Sequence, residues 1–171
     1  MGVIKKWWLK SLLLISALVV TIIGSSIREE HFFTCVMGAD FLGATPAQCL
    51  WVIEKMGPSE DLLLLVEEEW SLSAVLSYPT PEALALAQLL IDHGIDINSP
   101  QQINGVEIPT IHGAILSREL EAFNLLIRNG VDINQVYSVT EDNALQFAYR
   151  LQRKRASVEL NKMIATLEAM Q

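Results

Sequence analysis

Three histidines, two cysteines and a run of three glutamates are the groups in this chain with the plainest capacity for chemistry. An imidazole can move a proton or hold a metal near neutral pH, a thiol pair can form a disulfide or bind zinc, and clustered carboxylates can take a divalent cation. The spacing argues against most of this. His31, His93 and His112 form no pair at metal-ligand spacing. Glu67, Glu68 and Glu69 point in different directions around a helix, and no D-x-D-x-D-G calcium loop accompanies them. They read as a solvated helix face or as contact points for a basic partner. Cys35 and Cys49 are too far apart for a redox or zinc motif. In an exported chain such a pair forms a disulfide, whose loop of roughly 15 residues would stabilise the fold by about 3 kcal/mol. The alternative is two small buried thiols. No serine stands in a G-x-S-x-G elbow and no phosphate loop is present. No catalytic set, metal or cofactor is expected, and the chain reads as a non-enzyme.

The elements that position these groups announce themselves through a repeated phrase. Leu89-Leu90-Ile91-Asp92-His93-Gly94-Ile95-Asp96-Ile97-Asn98 returns 36 residues later as Leu125-Leu126-Ile127-Arg128-Asn129-Gly130-Val131-Asp132-Ile133-Asn134. A period of that size marks a helical solenoid. Each copy reads as the end of an amphipathic helix, stopped by a glycine with access to positive φ and followed by a turn whose Asx side chains bond local backbone. Gly94, Asp96, Asn98, Gly130, Asp132 and Asn134 are therefore structural residues of the repeat. His93, beside Asp92 at a helix end, reads as a partner of the helix dipole.

Other helix boundaries are legible. Thr45-Pro46 is an N-cap with proline at the first helical position, and that helix should stop at Gly57. Pro58-Ser59 opens the next, with Glu60 and Asp61 at its positive end and the run from Leu62 to Val66 buried. Residues 78–81 form a loop, with Thr80 capping the helix that Gly94 ends. Residues 157–170 should close the molecule, offering Val158, Met163, Ile164 and Leu167 for packing and Glu159, Asn161, Lys162 and Glu168 to water. Arg150, Arg153, Lys154 and Arg155 make a small basic cluster, either a charged helix end or a partner for a neighbour's acidic stretch.

Charge and the amino terminus bound the function. The formal net charge is −8, and setting aside the three lysines of residues 1–26, which hold no acid, leaves −11 on residues 27–171. Nucleic acid is an unsuitable partner for such a field, and a basic protein suits it. Lys5, Lys6, Trp7, Trp8 and Lys10 precede an apolar run from Leu12 to Ile23, with Gly24-Ser25-Ser26 after it. Residues 1–26 thus read as a secretory signal peptide or as an uncleaved transmembrane anchor. Either places the remainder outside the cytoplasm, on the periplasmic side of a bacterial inner membrane.

Pro109-Thr110-Ile111-His112-Gly113-Ala114, followed by the paired leucines and the Gly130-Val131-Asp132-Ile133-Asn134 turn, resembles an ankyrin repeat, whose pattern is T-P-L-H-x-A and later L-L-x-x-G-A-D-V-N. Proline and threonine are reversed here, and His112 and Ala114 keep their places. Asn143-Ala144-Leu145-Gln146-Phe147-Ala148 is a second match that has lost the histidine, and Trp70 to Ala74 a looser third. The resemblance implies an all-α fold: an ankyrin-like helical solenoid of about three degenerate repeats with helical caps, after the N-terminal signal or anchor helix. Residues 27–58 would be the N-terminal helical cap and residues 59–171 the repeat domain. At the ankyrin position His112 would bond backbone of a neighbouring turn. Terminal repeats depart from the pattern because their outer faces must stay soluble.

By the same resemblance, the turn tips and inner helices would grip a protein. The candidate contact residues are Glu67, Glu68 and Glu69, then Val106, Glu107, Ile108 and Pro109, then Tyr137, Ser138 and Val139. Small, acidic, exported ankyrin-like proteins are similar to the immunity proteins that neutralise secreted effector toxins. The expected function is an exported module that captures one such partner. The alternative is a membrane-anchored periplasmic scaffold or assembly factor for an envelope complex.

Overall fold

The computed structural model describes residues 28–171, so the expected signal or anchor of residues 1–26 lies outside the described residues. Nine α-helices and one two-stranded hairpin are present among the described residues. They are α1 (Glu29–Val36), α2 (Pro46–Met56), α3 (Glu60–Leu65), α4 (Leu72–Leu76), α5 (Pro81–Asp92), the strands β1 (Gln101–Ile103) and β2 (Val106–Ile108), then α6 (Thr110–Ser117), α7 (Leu120–Arg128), α8 (Ala144–Lys154) and α9 (Val158–Ala169). No helix among them is long and apolar enough to cross a membrane.

The predicted starts and stops follow from local chemistry. The Thr45 side chain accepts from the Gln48 amide while the Gln48 side chain accepts from the Thr45 amide, a reciprocal cap that satisfies two of the donors orphaned at the start of α2. Ser59, Thr80, Asn143 and Ser157 cap α3, α5, α8 and α9 in the same way, each accepting from an amide three residues on. Gly57 and Gly94, at φ 75° and 100°, end α2 and α5 where a side chain would be strained.

The last six helices form three pairs, α4 with α5, α6 with α7, and α8 with α9. The first helices of successive pairs touch one another, α4 on α6 on α8, and so do the second helices, α5 on α7 on α9. Two stacked rows share one core, built from Leu76, Leu86, Leu90, Ile111, Ile115, Phe123, Leu126, Leu160 and Met163, among others. α1 and α2 pack on each other and against α5, covering one end of the stack. Within that cap Cys35 and Cys49 are bonded, with their Cα atoms 6.1 Å apart. Phe33 meets Trp70 edge to face at 5.2 Å, joining the cap to the chain just before α4.

Several details differ from expectation. The chain is not purely helical: residues 101–108 form an antiparallel hairpin pairing Gln101 with Ile108 and Ile103 with Val106. The signal was present as Asn104-Gly105 between two short apolar-containing runs, since both residues take positive φ, 52° and 77°, as a tight hairpin turn requires. α3 continues into a wider π-type turn over Val66–Trp70 rather than ending cleanly. Of the Leu62 to Val66 run only Leu62 and Val66 are buried, and Leu64 is 50% exposed, because four consecutive leucines cannot all face one side of a helix. Val158 is 63% exposed, while Leu160 takes the core position expected of it. At the first position of α9, Val158 precedes the face that meets α8.

Candidate functional site

Short connections at residues 77–80, 118–119 and 155–157 join the helices of each pair at one edge of the stack. The opposite edge gathers everything longer: the π turn before α4, the residues from His93 to Pro109, and those from Asn129 to Asn143. All three predicted contact stretches therefore fall on this edge. Glu67, Glu68 and Glu69 are exposed on the π turn. Val106 to Pro109 make the second arm of the hairpin and its descent into α6. Tyr137 to Val139 lie in the turn before α8, and the Ser138 hydroxyl donates to the Glu107 carbonyl at 3.3 Å. That contact brings together two stretches 31 residues apart in sequence.

Within these stretches the side chains divide. Glu107, Ser138 and Val139 are exposed and Val106 is partly so. Ile108 and Pro109 are buried, so they anchor the hairpin, Ile108 showing only a flank. Tyr137 is half-buried, with Phe147 5.4 Å away and the His112 ring 6.2 Å away.

Beneath the hairpin lies a groove of about 430 Å³ that the sequence did not disclose. Ala74 and Ser77 of the α4 region, Gly113, Leu116 and Ser117 of the α6 region, and Ile103 of the hairpin are among its walls. Gly113 matters here for what it lacks: a Cβ at that position would stand 2.4 Å from the Ser73 hydroxyl oxygen, so glycine allows α4 and α6 to approach closely. Leu116 and Ile103, 52% and 41% exposed, give the groove an apolar mouth. Large apolar side chains left in the open beside a concavity are the usual mark of a surface that something else covers.

The turn after Asn134 is held by a polar hub at Asp142. Its carbonyl accepts from the Nε2–H of His112 at 3.0 Å and from the Tyr137 amide at 2.9 Å. Its carboxylate pairs with the Arg150 guanidinium at 2.6 Å and accepts from the Thr140 hydroxyl at 3.0 Å. Because Nε2 carries the proton, His112 Nδ1 is left with a lone pair, buried and without a hydrogen-bond partner among the described residues. Burial lowers the imidazole's affinity for a proton more than the backbone bond raises it, so His112 titrates below its ordinary value. A neutral, fully enclosed ring bonded to backbone is placed to hold a turn.

The other groups with chemical potential are dispersed. His93 Nδ1 lies 2.8 Å from the Leu89 carbonyl at the end of α5, and His31 stacks on Phe41 at 5.6 Å. Of the basic cluster, Arg150 belongs to the Asp142 hub, while Arg153, Lys154 and Arg155 stand exposed at the far edge. Among the described residues no group of three or more histidine, cysteine or acidic side chains is arranged to hold a metal. The chain matches no family model, no curated protein and no solved structure.

Proposed function

We propose that this chain is an exported protein-binding module of the ankyrin-like type, and that it captures and neutralises one protein partner as an immunity protein against a secreted effector toxin. The observation that carries the reading is the join between the hairpin and the turn before α8, directly above the groove between α4 and α6. Distant stretches of sequence meet there through Ser138 and Glu107, beside exposed Ile103, Leu116 and Val139 and half-buried Val106. Three stacked helical pairs, the twice-used glycine and Asx turn, and a histidine bonded to the backbone of the next turn all support the ankyrin-like reading. So does the acidic surface, which favours fast capture of a basic protein. Neutralisation would act by occlusion: the hairpin face covers the partner's active site or its membrane-binding surface.

Affinity purification of the tagged full chain from envelope extracts of its native host, with mass spectrometry of what co-elutes, tests this. One dominant stoichiometric partner, a secreted toxin encoded nearby, is the expected result. It should be lost in a Leu116→Asp variant, since a charge at a covered apolar anchor removes about 2 kcal/mol or more of binding. Recovery of a resident multi-subunit envelope complex would instead make the chain a periplasmic scaffold or assembly factor, and the immunity reading would be abandoned.

A further inference from the structure

A second concavity lies on the other side of the π turn. Glu60, Leu63, Leu64 and Glu67 follow one another at helical spacings of three, four and seven, so they share a face of α3 and its continuation. Opposite them stand His93, Gly94 and Ile95, the end of α5, and the space between is about 280 Å³. That is just under the range of roughly 300–1,000 Å³ typical of small-molecule sites, and it suits one or two side chains of a partner better than a whole ligand. Its floor is apolar, with Leu63 half-buried, Ile95 buried and Leu64 50% exposed. Two exposed carboxylates, Glu60 and Glu67, belong to its lining.

The stretch of chain that lines it carries formal charge of one sign. Between Lys55 and Arg118 the sequence contains no lysine or arginine, yet it contains nine acidic residues, Glu60 and Glu67 among them. Neither of these glutamates has a cationic partner among the described residues, where the one ion pair is Asp142 with Arg150. Complementarity therefore selects the occupant: a segment with an apolar side chain flanked by lysine or arginine. The apolar group covers Leu64, the alkyl stems of the flanking residues lie along the leucines, and their charged heads reach Glu60 and Glu67.

We infer that the groove between α3 and the end of α5 docks a basic-apolar-basic segment of the protein partner. The inference rests on the protein-binding reading above and adds a second contact, away from the hairpin face. Of the predicted glutamates it uses Glu67 alone. Glu68 and Glu69 do not line the groove, because successive residues of a helical turn face different ways.

The test needs no native partner. The full chain, labelled at leucine and isoleucine methyl groups and held in a nonionic micelle, is titrated with the tripeptide acetyl-Arg-Leu-Arg-amide. The methyl resonances of Leu63, Leu64 and Ile95 should shift saturably, those of Leu116 and Ile103 should not, and acetyl-Glu-Leu-Glu-amide should shift none. The double variant Glu60→Gln, Glu67→Gln should bind the first peptide about three- to tenfold more weakly, with an unchanged circular dichroism spectrum because both side chains are exposed. Unchanged affinity in that variant, shifts confined to Leu116 and Ile103, or equal binding of acetyl-Arg-Ser-Arg-amide would each overturn the proposal. The last result would reduce the groove to a general acidic field. Peptide binding here with no partner captured from the envelope would sink the neutralising function and leave the groove standing. Capture that survives the double variant but not Leu116→Asp would do the reverse.

Discussion

The ten-residue phrase at Leu89–Asn98 and its copy at Leu125–Asn134 build the same turn and then hand the chain to different fates. In each, the amide after the glycine bonds back to a leucine carbonyl, Ile95 to Leu90 at 3.1 Å and Val131 to Leu126 at 3.2 Å. In each, the aspartate accepts from the asparagine amide two residues on, both at 2.9 Å. The copies also lock to each other. The Asn98 side chain accepts from the Asp132 amide at 2.8 Å, and the Gln88 and Asn129 side chains exchange two bonds. Beyond the phrase they diverge: the first leads into a hairpin whose tip is exposed, the second into a turn clamped by His112, Tyr137, Arg150 and Asp142. One connection supplies surface and the other supplies rigidity. A repeat thus fixes the scaffold while the few residues after it decide what each repeat is for.

This contrast predicts that damage after the second copy shows in stability and damage after the first shows in binding. The largest effect should come from His112→Ala, which empties a fully buried site and removes one of the two hydrogen bonds to the Asp142 carbonyl. A loss of about 3 kcal/mol by urea unfolding is expected. A comparable loss from Asn104→Ala at the hairpin tip would break the comparison. Next, Gly94→Ala and Gly130→Ala should each cost about 1–2 kcal/mol and match one another closely. A Cβ meets nothing within 4 Å at either position, so backbone strain at positive φ is the whole effect. Unequal losses would mean that the two turns are not equivalent.

Gly113→Ala should then cost about 1 kcal/mol, largely recovered by adding Ser73→Ala, because the clashing atom is the Ser73 oxygen while its Cβ stays at 3.7 Å. Without such rescue the contact between α4 and α6 would have to rest on something other than that oxygen. The smallest change sharpens the second turn alone. The His112 ring titrates below its ordinary value of about 6.5 in the folded chain, so the unfolded chain takes up the proton first. The histidine's contribution is fully present above that pH and declines as pH falls below it. Urea midpoints compared at pH 7.5 and 5.5 should drop for the natural chain, and His112→Gln should shrink the drop.

Much of the scaffold was legible because it rests on local chemistry. Thr45, Ser59, Thr80 and Ser157 stand at the expected helix starts because a short side-chain oxygen reaches an amide three residues on, and Asn143, expected only as part of a repeat match, caps α8 in the same way. The hairpin is hard to read for a local reason too: Asn104-Gly105 is a strong turn signal, but its flanking runs are only three residues each, too short to stand out as strands from the turn region of the repeat. The place of stretches 106–109 and 137–139 in the repeat puts them in turns on one edge, which the structure shows meeting through Ser138 and Glu107. Which of their side chains are exposed and which buried is not legible in the sequence, since the pattern says nothing of which residues a neighbouring turn will cover. Leu116 carries no functional signal by type inside a helical pattern, and Gly113, which stands where the ankyrin pattern has a bulkier residue, shows its reason only against the Ser73 hydroxyl of α4.

The amino-acid sequence alone determined where several helices begin, that Gly57 and Gly94 end two of them, that one turn is used twice, that the chain is strongly acidic, and that Cys35 and Cys49 stand at a spacing a disulfide can close. Each of these depends on neighbours within a few residues or on composition. Only the tertiary structure decided that Ser138 meets Glu107, that α4 and α6 pack closely enough to leave a groove beneath the hairpin, and that Glu67 faces the end of α5 while Glu68 and Glu69 do not line that groove. Those outcomes depend on how rigid helices stack, and stacking is set by side-chain shape summed across elements far apart in the chain.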